Sequence, residues 1–401
     1  MKIAIIGAGA AGCFAAANLP KGTQYEIAVF EKTGKALQKV KISGGGRCNL
    51  THNLPPRADP KHYYPRGWQL LRKTLPKFDT VSWFQQRGVT IKTEPDGRMF
   101  PVSDSSQTII DCLLREMKSR NVQLHFHKSI QQISIQPNSK FLLVFDDGSE
   151  YVADKVLIAV GGSPKLNSYT WIRDLGHSLV DPVPSLFTFN LPAHAITNLQ
   201  GISVPNVTIR LSGTKIEEQG AILITHWGLS GPAVLRASAW GARELAKCNY
   251  RFDVQINWLP HLSEIQLREN FQQWKKEKGS QLIINNGLMA LPKRLWTFLV
   301  QSSSISSDLR WADLSLKAAM QLISNIKKYP CSVLGKTTFK EEFVTAGGIP
   351  LSEVDSDTMQ SKIVPSIYFA GEVLDVDGIT GGFNFQHAWS SAWLAANHMS
   401  I

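Results

Sequence analysis

The feature that most constrains this chain is a glycine pattern directly after its first apolar run. Residues 3–6 are apolar, and Gly7, Gly9 and Gly12 follow with the spacing G-x-G-x-x-G at the start of an Ala-rich stretch. A buried strand, a tight glycine turn and a helix, in this order, form a pyrophosphate site, because the unpaired N–H groups of the helix face the phosphates. The pattern therefore predicts a dinucleotide site, without separating FAD from NAD.

An acid follows where a dinucleotide site needs one for a ribose. Glu31 ends the next apolar run, residues 27–30, and its carboxylate is suited to accept hydrogen bonds from a ribose 2′-OH. Gly7 permits the tight turn, Gly9 the approach of the pyrophosphate, and Gly12 the packing of helix on strand. The predicted cofactor residues here are Gly7, Ala8, Gly9, Ala10, Ala11, Gly12, Glu31 and Lys32.

Three consecutive glycines, residues 44–46, mark a second candidate segment. A run without side chains adopts positive φ freely and can wrap a flat or phosphorylated ligand with its N–H groups. Arg47 adds a fixed cation. A flexible surface loop is the alternative, but the Arg-Cys-Asn that follows the glycines favours a cofactor loop. The predicted residues are Ser43, Gly44, Gly45, Gly46, Arg47, Cys48 and Asn49.

Two further glycine segments follow apolar runs that read as buried parallel strands, residues 156–160 and 367–370. Ligands of open α/β sheets bind outside the carboxyl ends of such strands. Glu372 is suited to a polyol, and a glycine pair before a helix would stabilise negative charge at the edge of a flavin ring. The predicted residues are Ala159, Val160, Gly161, Gly162, Gly371, Glu372, Gly381, Gly382, Phe383 and Asn384, and Ile130 completes the set.

The cysteines and the apolar stretches exclude several classes of protein. Five scattered cysteines without a C-x-x-C pair disfavour a disulfide framework, a zinc site and a dithiol centre, so we expect no metal. The N-terminal run resembles a short secretory signal, but a signal has no use for the glycines or for Glu31. We see no run of about 20 apolar residues, and we expect a soluble, cytoplasmic protein that does not act at a membrane.

The positive charge is local. The chain carries a net charge of +11, and residues 272–328 contain nine Lys and Arg against three acids. Such a segment could meet nucleic acid, an anionic membrane or an anionic cosubstrate. A solvated helical face is the simpler interpretation, and it predicts no nucleic-acid partner.

The order of predicted strands and helices along the chain indicates an α/β domain that is interrupted by an insertion. We predict a nucleotide domain over residues 1–185 and 343–401, an inserted β domain over 186–258 and 330–342, and a helical insertion over 259–329. Within the nucleotide domain, residues 32–66 read as loop-rich, and residues 68–87 and 105–120 read as helical. Residues 186–191 read as the first strand of the insertion.

The motifs together resemble a known family, the bacterial FAD-dependent oxidoreductases, often described as NAD(P)/FAD-dependent, that include bile-acid-type enone reductases and aminoacetone-oxidase-like proteins. The matching stretches span nearly the whole chain and are residues 7–12, 41–49, 225–232, 344–348, 358–362 and 368–391. The resemblance implies an α/β fold: a glutathione-reductase-type FAD-binding Rossmann domain, interrupted by a β domain that carries a helical insertion. Gln360 and Trp227 depart slightly from the family pattern.

Fewer residues are candidates for chemistry beyond the flavin. The sequence has no second G-x-G-x-x-G, so NAD(P)H would dock transiently as a cosubstrate. His226, in a Gly/Ser/Pro-rich turn, is a candidate general acid, with a structural turn residue as the alternative. Cys48 has no resolving partner for redox chemistry, and we expect His387 to pack or cap within the last helix.

Two functional hypotheses follow. In the first, NAD(P)H reduces the FAD and a hydride passes to an apolar organic acceptor, such as a conjugated enone. In the second, the flavoprotein binds or modifies RNA through its basic helical insertion. The first is preferred because the sequence lacks a recognisable RNA-binding motif.

Overall fold

The computed structural model describes residues 1–55, 57–287, 291–337 and 344–400. The chain forms two compact units: a first unit of Met1–Ser185 with Lys340–Ile401, and an inserted unit of Leu186–Phe339. The division after residue 185 coincides with the predicted start of the insertion. The predicted return at residue 343 lies outside the described residues.

The elements are numbered in chain order. The strands are β1 (Lys2–Ile6), β2 (Glu26–Glu31), β3 (Thr51–His52), β4 (Ile91–Thr93), β5 (Arg98–Pro101), β6 (Gln123–Phe126), β7 (Ile130–Ile135), β8 (Phe141–Phe145), β9 (Glu150–Ala153), β10 (Lys155–Ile158), β11 (Val180–Ser185), β12 (Thr188–Asn190), β13 (Ser203–Leu211), β14 (Glu217–Thr225), β15 (Gly228–Ser230), β16 (Arg251–Asn257), β17 (Tyr329–Leu334), β18 (Lys336–Thr337), β19 (Val344–Gly348) and β20 (Ile367–Phe369). The α-helices are α1 (Ala10–Ala16), α2 (Gln38–Gly46), α3 (Trp68–Thr74), α4 (Thr80–Gln85), α5 (Gln107–Lys118), α6 (Thr170–Arg173), α7 (Pro232–Trp240), α8 (Ala242–Lys247), α9 (Glu264–Glu277), α10 (Lys293–Ser302), α11 (Leu316–Lys327) and α12 (Phe383–Met399).

The first unit is built on a parallel five-stranded sheet with the order β20-β10-β1-β2-β6. Strand β1 lies between β10 and β2, and its Ile5 is paired with Leu157 of β10 and with Val29 of β2. Strands that are buried on both faces have continuous apolar sequences. The two apolar runs that predicted such strands form β10 and β20, which pair in parallel. Because the pairing is parallel, the carboxyl ends of β1, β2, β10 and β20 lie at one edge of the sheet.

Three smaller sheets complete the first unit, with the orders β3-β5-β4, β7-β8-β9 and β11-β19. Helices α1 and α12 pack against each other, and Phe14 of α1 meets Trp389 of α12 at 5.1 Å between ring centroids. The aromatic core continues from Phe14 to Trp83 at 4.5 Å.

The segment predicted to be loop-rich, residues 32–66, contains α2, within which Ser43, Gly44 and Gly45 have non-helical φ and ψ angles. Two sequence predictions for local structure were wrong. The predicted helix over residues 68–87 is divided into α3 and α4 by a 3₁₀ turn at Leu75–Lys77 that contains Pro76. The strand predicted over residues 186–191 starts only at Thr188, since Leu186 has a φ of 55° that a strand does not admit.

The inserted unit contains a seven-stranded antiparallel sheet with the order β17-β16-β13-β14-β15-β12-β18. The segment predicted to be helical contains α9, α10 and α11, and a capping box at Ser263 starts α9. Leu267 and Phe271 of α9 are buried, as their helical spacing predicts, beside the fully buried Trp311. Among the described residues, the helices are too short or too polar to cross a membrane.

Candidate cofactor site

The glycine turn after β1 contains glycines of two kinds. Gly7 has a φ of 103°, and a Cβ there would overlap the carbonyl of Ala159, while a Cβ on Gly12 would overlap the carbonyl of Gly7. Those two positions need glycine for packing. Gly9, the N-cap of α1, has no described atom within 4 Å of its Cβ position. The backbone at Gly9 is therefore open to a ligand at the N-terminus of a helix.

Glu31 lies at the end of β2 and holds the glycine turn. One carboxylate oxygen accepts the N–H of Ala8 at 2.9 Å, and the other accepts the N–H and the hydroxyl of Thr33, each at 2.9 Å. A carboxylate offers about four acceptor positions, so Glu31 retains capacity for a ligand hydroxyl. Its role in fastening the turn was not expected from the sequence.

The three consecutive glycines end α2 in a left-handed loop. Gly44, Gly45 and Gly46 have φ values of 58°, 70° and 84°, which only glycine adopts without strain in succession. The Cβ positions of Gly45 and Gly46 have no described atom within 4 Å. Like Gly9, this loop presents a bare backbone to open space.

The half-buried side chain of Arg47 is engaged by other residues of the protein. Its guanidinium donates to Glu94 at 2.6 Å and lies over the ring of Phe100, 4.0 Å from the centroid. Asp104 lies 3.5 Å away. Arg47 therefore fastens the glycine loop to the β3-β5-β4 sheet and its following turn, a use of its charge that the sequence did not reveal.

Cys48 is fully buried, and its φ of 60° helps the chain leave the glycine loop. Burial raises the pKa of its thiol to about 12. Since the thiolate is the reactive form of cysteine, this residue is an inert part of the loop.

Asn49 connects the glycine loop to the start of α12. In the amide orientation that gives both side-chain atoms a partner, the Asn49 nitrogen donates to the carbonyl of Thr51 and its oxygen accepts the N–H of Gly382, each at 3.1 Å. Thr51 in turn donates to Gln386 at 2.6 Å. The second and fourth predicted segments, more than 300 residues apart in sequence, thus lie side by side.

The ends of β10 and β20 also meet. A Cβ on Gly162 would overlap Glu372, whose carboxylate accepts the N–H of Thr345 at 2.9 Å and pairs with Lys39 at 3.0 Å. The hydroxyl of Thr345 is buried without a hydrogen-bond partner within the described ranges. A buried polar group is normally satisfied, so this hydroxyl indicates a polar ligand group at the site. Gly161 has a φ of 73°, and no described atom lies within 4 Å of its Cβ position.

His387 supports this edge from within α12. Its Nε2 lies 3.2 Å from the carbonyl of Gly371, which can only accept, so the proton is on Nε2. Burial lowers the pKa of the imidazole to about 4. The residue is 2% exposed, which confirms the packing role expected for it.

Aromatic and ionic contacts that no sequence pattern indicated surround the start of α12. Phe383 is stacked between His52 and Tyr63, with 4.9 Å between centroids on each side, and the Nδ1 of His52 donates to the carbonyl of Gly381 at 3.1 Å. The fully buried Asp377 is paired with Arg66. These residues are distant in sequence and follow no spacing rule.

Two predicted cofactor residues lie at the margin of this arrangement. Lys32 is exposed after β2, and Ile130 starts β7, two residues after Lys128, whose N–H donates to the carbonyl of Glu31 at 2.9 Å. His226 belongs to the inserted unit. Its ring is exposed in the turn between β14 and β15, edge-on to Trp227 at 4.4 Å.

Comparison with known proteins identifies the family. The profile of the HI0933-like protein Rossmann domain matches residues 1–398. The chain belongs to this family. As a member of the HI0933-like family it is an enzyme, an oxidoreductase-type flavoprotein with a Rossmann domain for FAD.

Three relatives match over nearly their whole length. The chain is 31% identical to the ribosomal RNA dihydrouridine synthase of Escherichia coli K12, over 98% of this chain and 97% of that one. It is 30% identical to the protein of the same name from Haemophilus influenzae, over 99% and 98%. It is 28% identical to the 3-dehydro-bile acid Δ(4,6)-reductase of Clostridium scindens, over 98% of each.

These relatives bear on the two functional hypotheses. The resemblance to bile-acid reductases is confirmed at the level of the family. Two of the three relatives are named for chemistry on RNA, so the expectation of no nucleic-acid partner is not confirmed.

Proposed function

We propose that this enzyme reduces uridine in ribosomal RNA to dihydrouridine, with NAD(P)H as the reductant. One NAD(P)H and one proton are consumed for each uridine, and a hydride and a proton are added across its C5–C6 double bond. The observation that carries the choice of substrate is the full-length similarity to two ribosomal RNA dihydrouridine synthases. The charge supports it: residues 186–339 hold 17 Lys and Arg against nine Asp and Glu, a net +8 of the total +11.

The residues present at the sheet edge suit FAD. Gly9 and the N-terminus of α1 would receive the pyrophosphate, and Glu31 the adenosine ribose. The bare backbone of Gly45 and Gly46 would lie against the flavin half, and the unpartnered hydroxyl of Thr345 would meet a ribityl hydroxyl. When bound, FAD supplies hydride transfer between the nicotinamide and the acceptor carbon.

The chain's own residues orient these groups. Asn49 holds the glycine loop to the N-terminus of α12, His387 holds the end of β20, and Glu372 connects the end of β20 to β19 through the N–H of Thr345. Preorganised N–H donors stabilise negative charge that develops at the ligand without moving during the reaction. We assign to His226 the proton that reaches C5 of the uridine, since its ring is exposed in a polar turn.

Reduction of an apolar conjugated enone is the second candidate, favoured by the similarity to the bile-acid reductase. The two candidates share their chemistry. In uridine the C5–C6 bond is conjugated with the C4 carbonyl, as the reducible bond of an enone is with its ketone. The same addition of a hydride and a proton reduces either acceptor. The two candidate functions differ only in which acceptor the enzyme binds.

The test uses the purified holoenzyme with NADH or NADPH and deproteinised ribosomal RNA from a strain that lacks this enzyme. After digestion to nucleosides, mass spectrometry should detect uridine that has gained two hydrogen atoms. A conjugated ketosteroid is offered in parallel. Reduction of the steroid alone would favour the second candidate, and reduction of neither acceptor would refute the proposal.

A further inference from the structure

An open groove of about 670 Å³ lies in the inserted unit, between α10 and the 3₁₀ turn Ala195–Leu199. Its polar and aromatic lining comprises two cations, two amides, two hydroxyls and one aromatic ring. These residues are Lys293, Arg294, Asn198, Gln301, Thr297, Ser302 and Phe298. The described lining contains no carboxylate.

The walls of the groove are fixed by contacts within the inserted unit. Arg294 donates to the carbonyl of Asn198 at 2.7 Å and so connects α10 with the facing turn. Phe298 packs against Tyr329, 5.8 Å between ring centroids, and Tyr329 in turn meets Trp258 at 6.4 Å. The half-buried Phe298 is therefore held by the core of the unit.

Other cations of the same basic segment serve the protein itself. Lys275 donates to the carbonyl of Leu314 at 2.7 Å, and Lys328 pairs with Glu264 at 2.9 Å. Such contacts fasten α9 and α11. Lys293 and Arg294 are both exposed and line the groove. Some cations of residues 272–328 therefore make contacts within the protein, and others lie at this concave surface.

We propose that this groove binds a single-stranded segment of the substrate RNA. Cations contact phosphates and set the register, amides and hydroxyls reach sugars and base edges, and an aromatic ring accepts a stacked base. The lining offers all three groups without an opposing acid. This inference rests on the proposed function, since it assigns the RNA-docking surface of that same enzyme.

The test measures binding of the FAD-loaded enzyme to deproteinised ribosomal RNA over a series of salt concentrations. The variant Lys293→Glu/Arg294→Glu should bind at least about tenfold more weakly, and its log–log salt slope should be shallower by about 1.5, the loss of two phosphate contacts. The matched control Lys215→Glu/Lys247→Glu makes the same charge change at exposed positions elsewhere in the unit and should bind nearly as the wild type does.

A second variant guards against misfolding. Lys293→Glu/Gln301→Glu leaves the contact of Arg294 with Asn198 intact and should also weaken binding, with unchanged FAD content and melting temperature. Equal weakening by the groove variants and the control would show that net charge, and not the groove, binds RNA, and would overturn the inference. If the wild-type enzyme forms no dihydrouridine, the proposed function is refuted. This outcome is distinct from the one that overturns the assignment of the groove.

Discussion

Replacing Gly9 with valine should weaken FAD binding by about 10²–10⁴-fold and leave the fold intact. Gly9 has φ −84° and ψ −165°, an extended conformation that valine adopts, and no described atom lies within 4 Å of its Cβ position. Gly9 is the N-cap of α1, where valine in place of glycine should cost at most about 1 kcal/mol of folding free energy. The new isopropyl group would occupy the space that a pyrophosphate needs.

The magnitude follows from the contacts that the pyrophosphate would lose. At least two charge-assisted hydrogen bonds from the N-terminus of α1 would break, each worth about 1.5–3 kcal/mol. The sum of about 3–6 kcal/mol corresponds to a rise of about 10²–10⁴-fold in the Kd for FAD. Fluorescence titration of the apoprotein measures the Kd, and urea unfolding of the same apoprotein measures its stability.

Gly12 provides the contrasting variant. A Cβ there would overlap the carbonyl of Gly7, so Gly12→Ala should destabilise the apoprotein by about 1–3 kcal/mol, the usual cost of overpacking. The reasoning would be refuted if Gly9→Val bound FAD within threefold of the wild type. It would also be refuted if Gly9→Val unfolded the apoprotein as readily as Gly12→Ala does.

Four further predictions follow from particular residues. Glu31→Ala should weaken FAD binding by about 1–3 kcal/mol, and it should also lower the free energy of unfolding of the apoprotein, because the N–H of Ala8 loses its acceptor; an unchanged apoprotein would contradict the second effect. For His387 the folded pKa lies near 4 and the unfolded value near 6.5, so the unfolded chain takes up the proton first. Stability should therefore fall by about 3 kcal/mol as the pH drops from 6.5 to 4, and His387→Asn should flatten that part of the curve. His226→Ala should slow transfer to the acceptor by about 10²–10⁴-fold while reduction of the flavin by NAD(P)H stays within a few-fold; stopped-flow absorbance separates the two half-reactions, and equal slowing of both would exclude a role as acid. Ellman's reagent should modify one thiol per native chain, that of the exposed Cys248, and a signal that survives Cys248→Ser would show that a buried thiol is accessible.

Much of the fold could be predicted from the sequence because its signals are local. The apolar run, the glycines and the acid of residues 1–31 lie within one β-α-β unit, so their spacing already contains the geometry. The strands β10 and β20 were found for the same reason. The prediction of one helix over residues 68–87 failed because the chain breaks at Leu75–Lys77, where Pro76 lacks the N–H that a continuous helix needs.

The sequence by itself determined which residue types the candidate site contains, and the tertiary structure decided what each of them does. That Gly7 packs against the carbonyl of Ala159, and that Arg47 is turned toward Glu94, follow from contacts with distant parts of the chain. The pairing of Asn49 with Gly382 joins segments more than 300 residues apart. Such contacts arise only when the parallel strands align and bring their carboxyl ends to one edge, and no spacing along the chain encodes the partners that meet there.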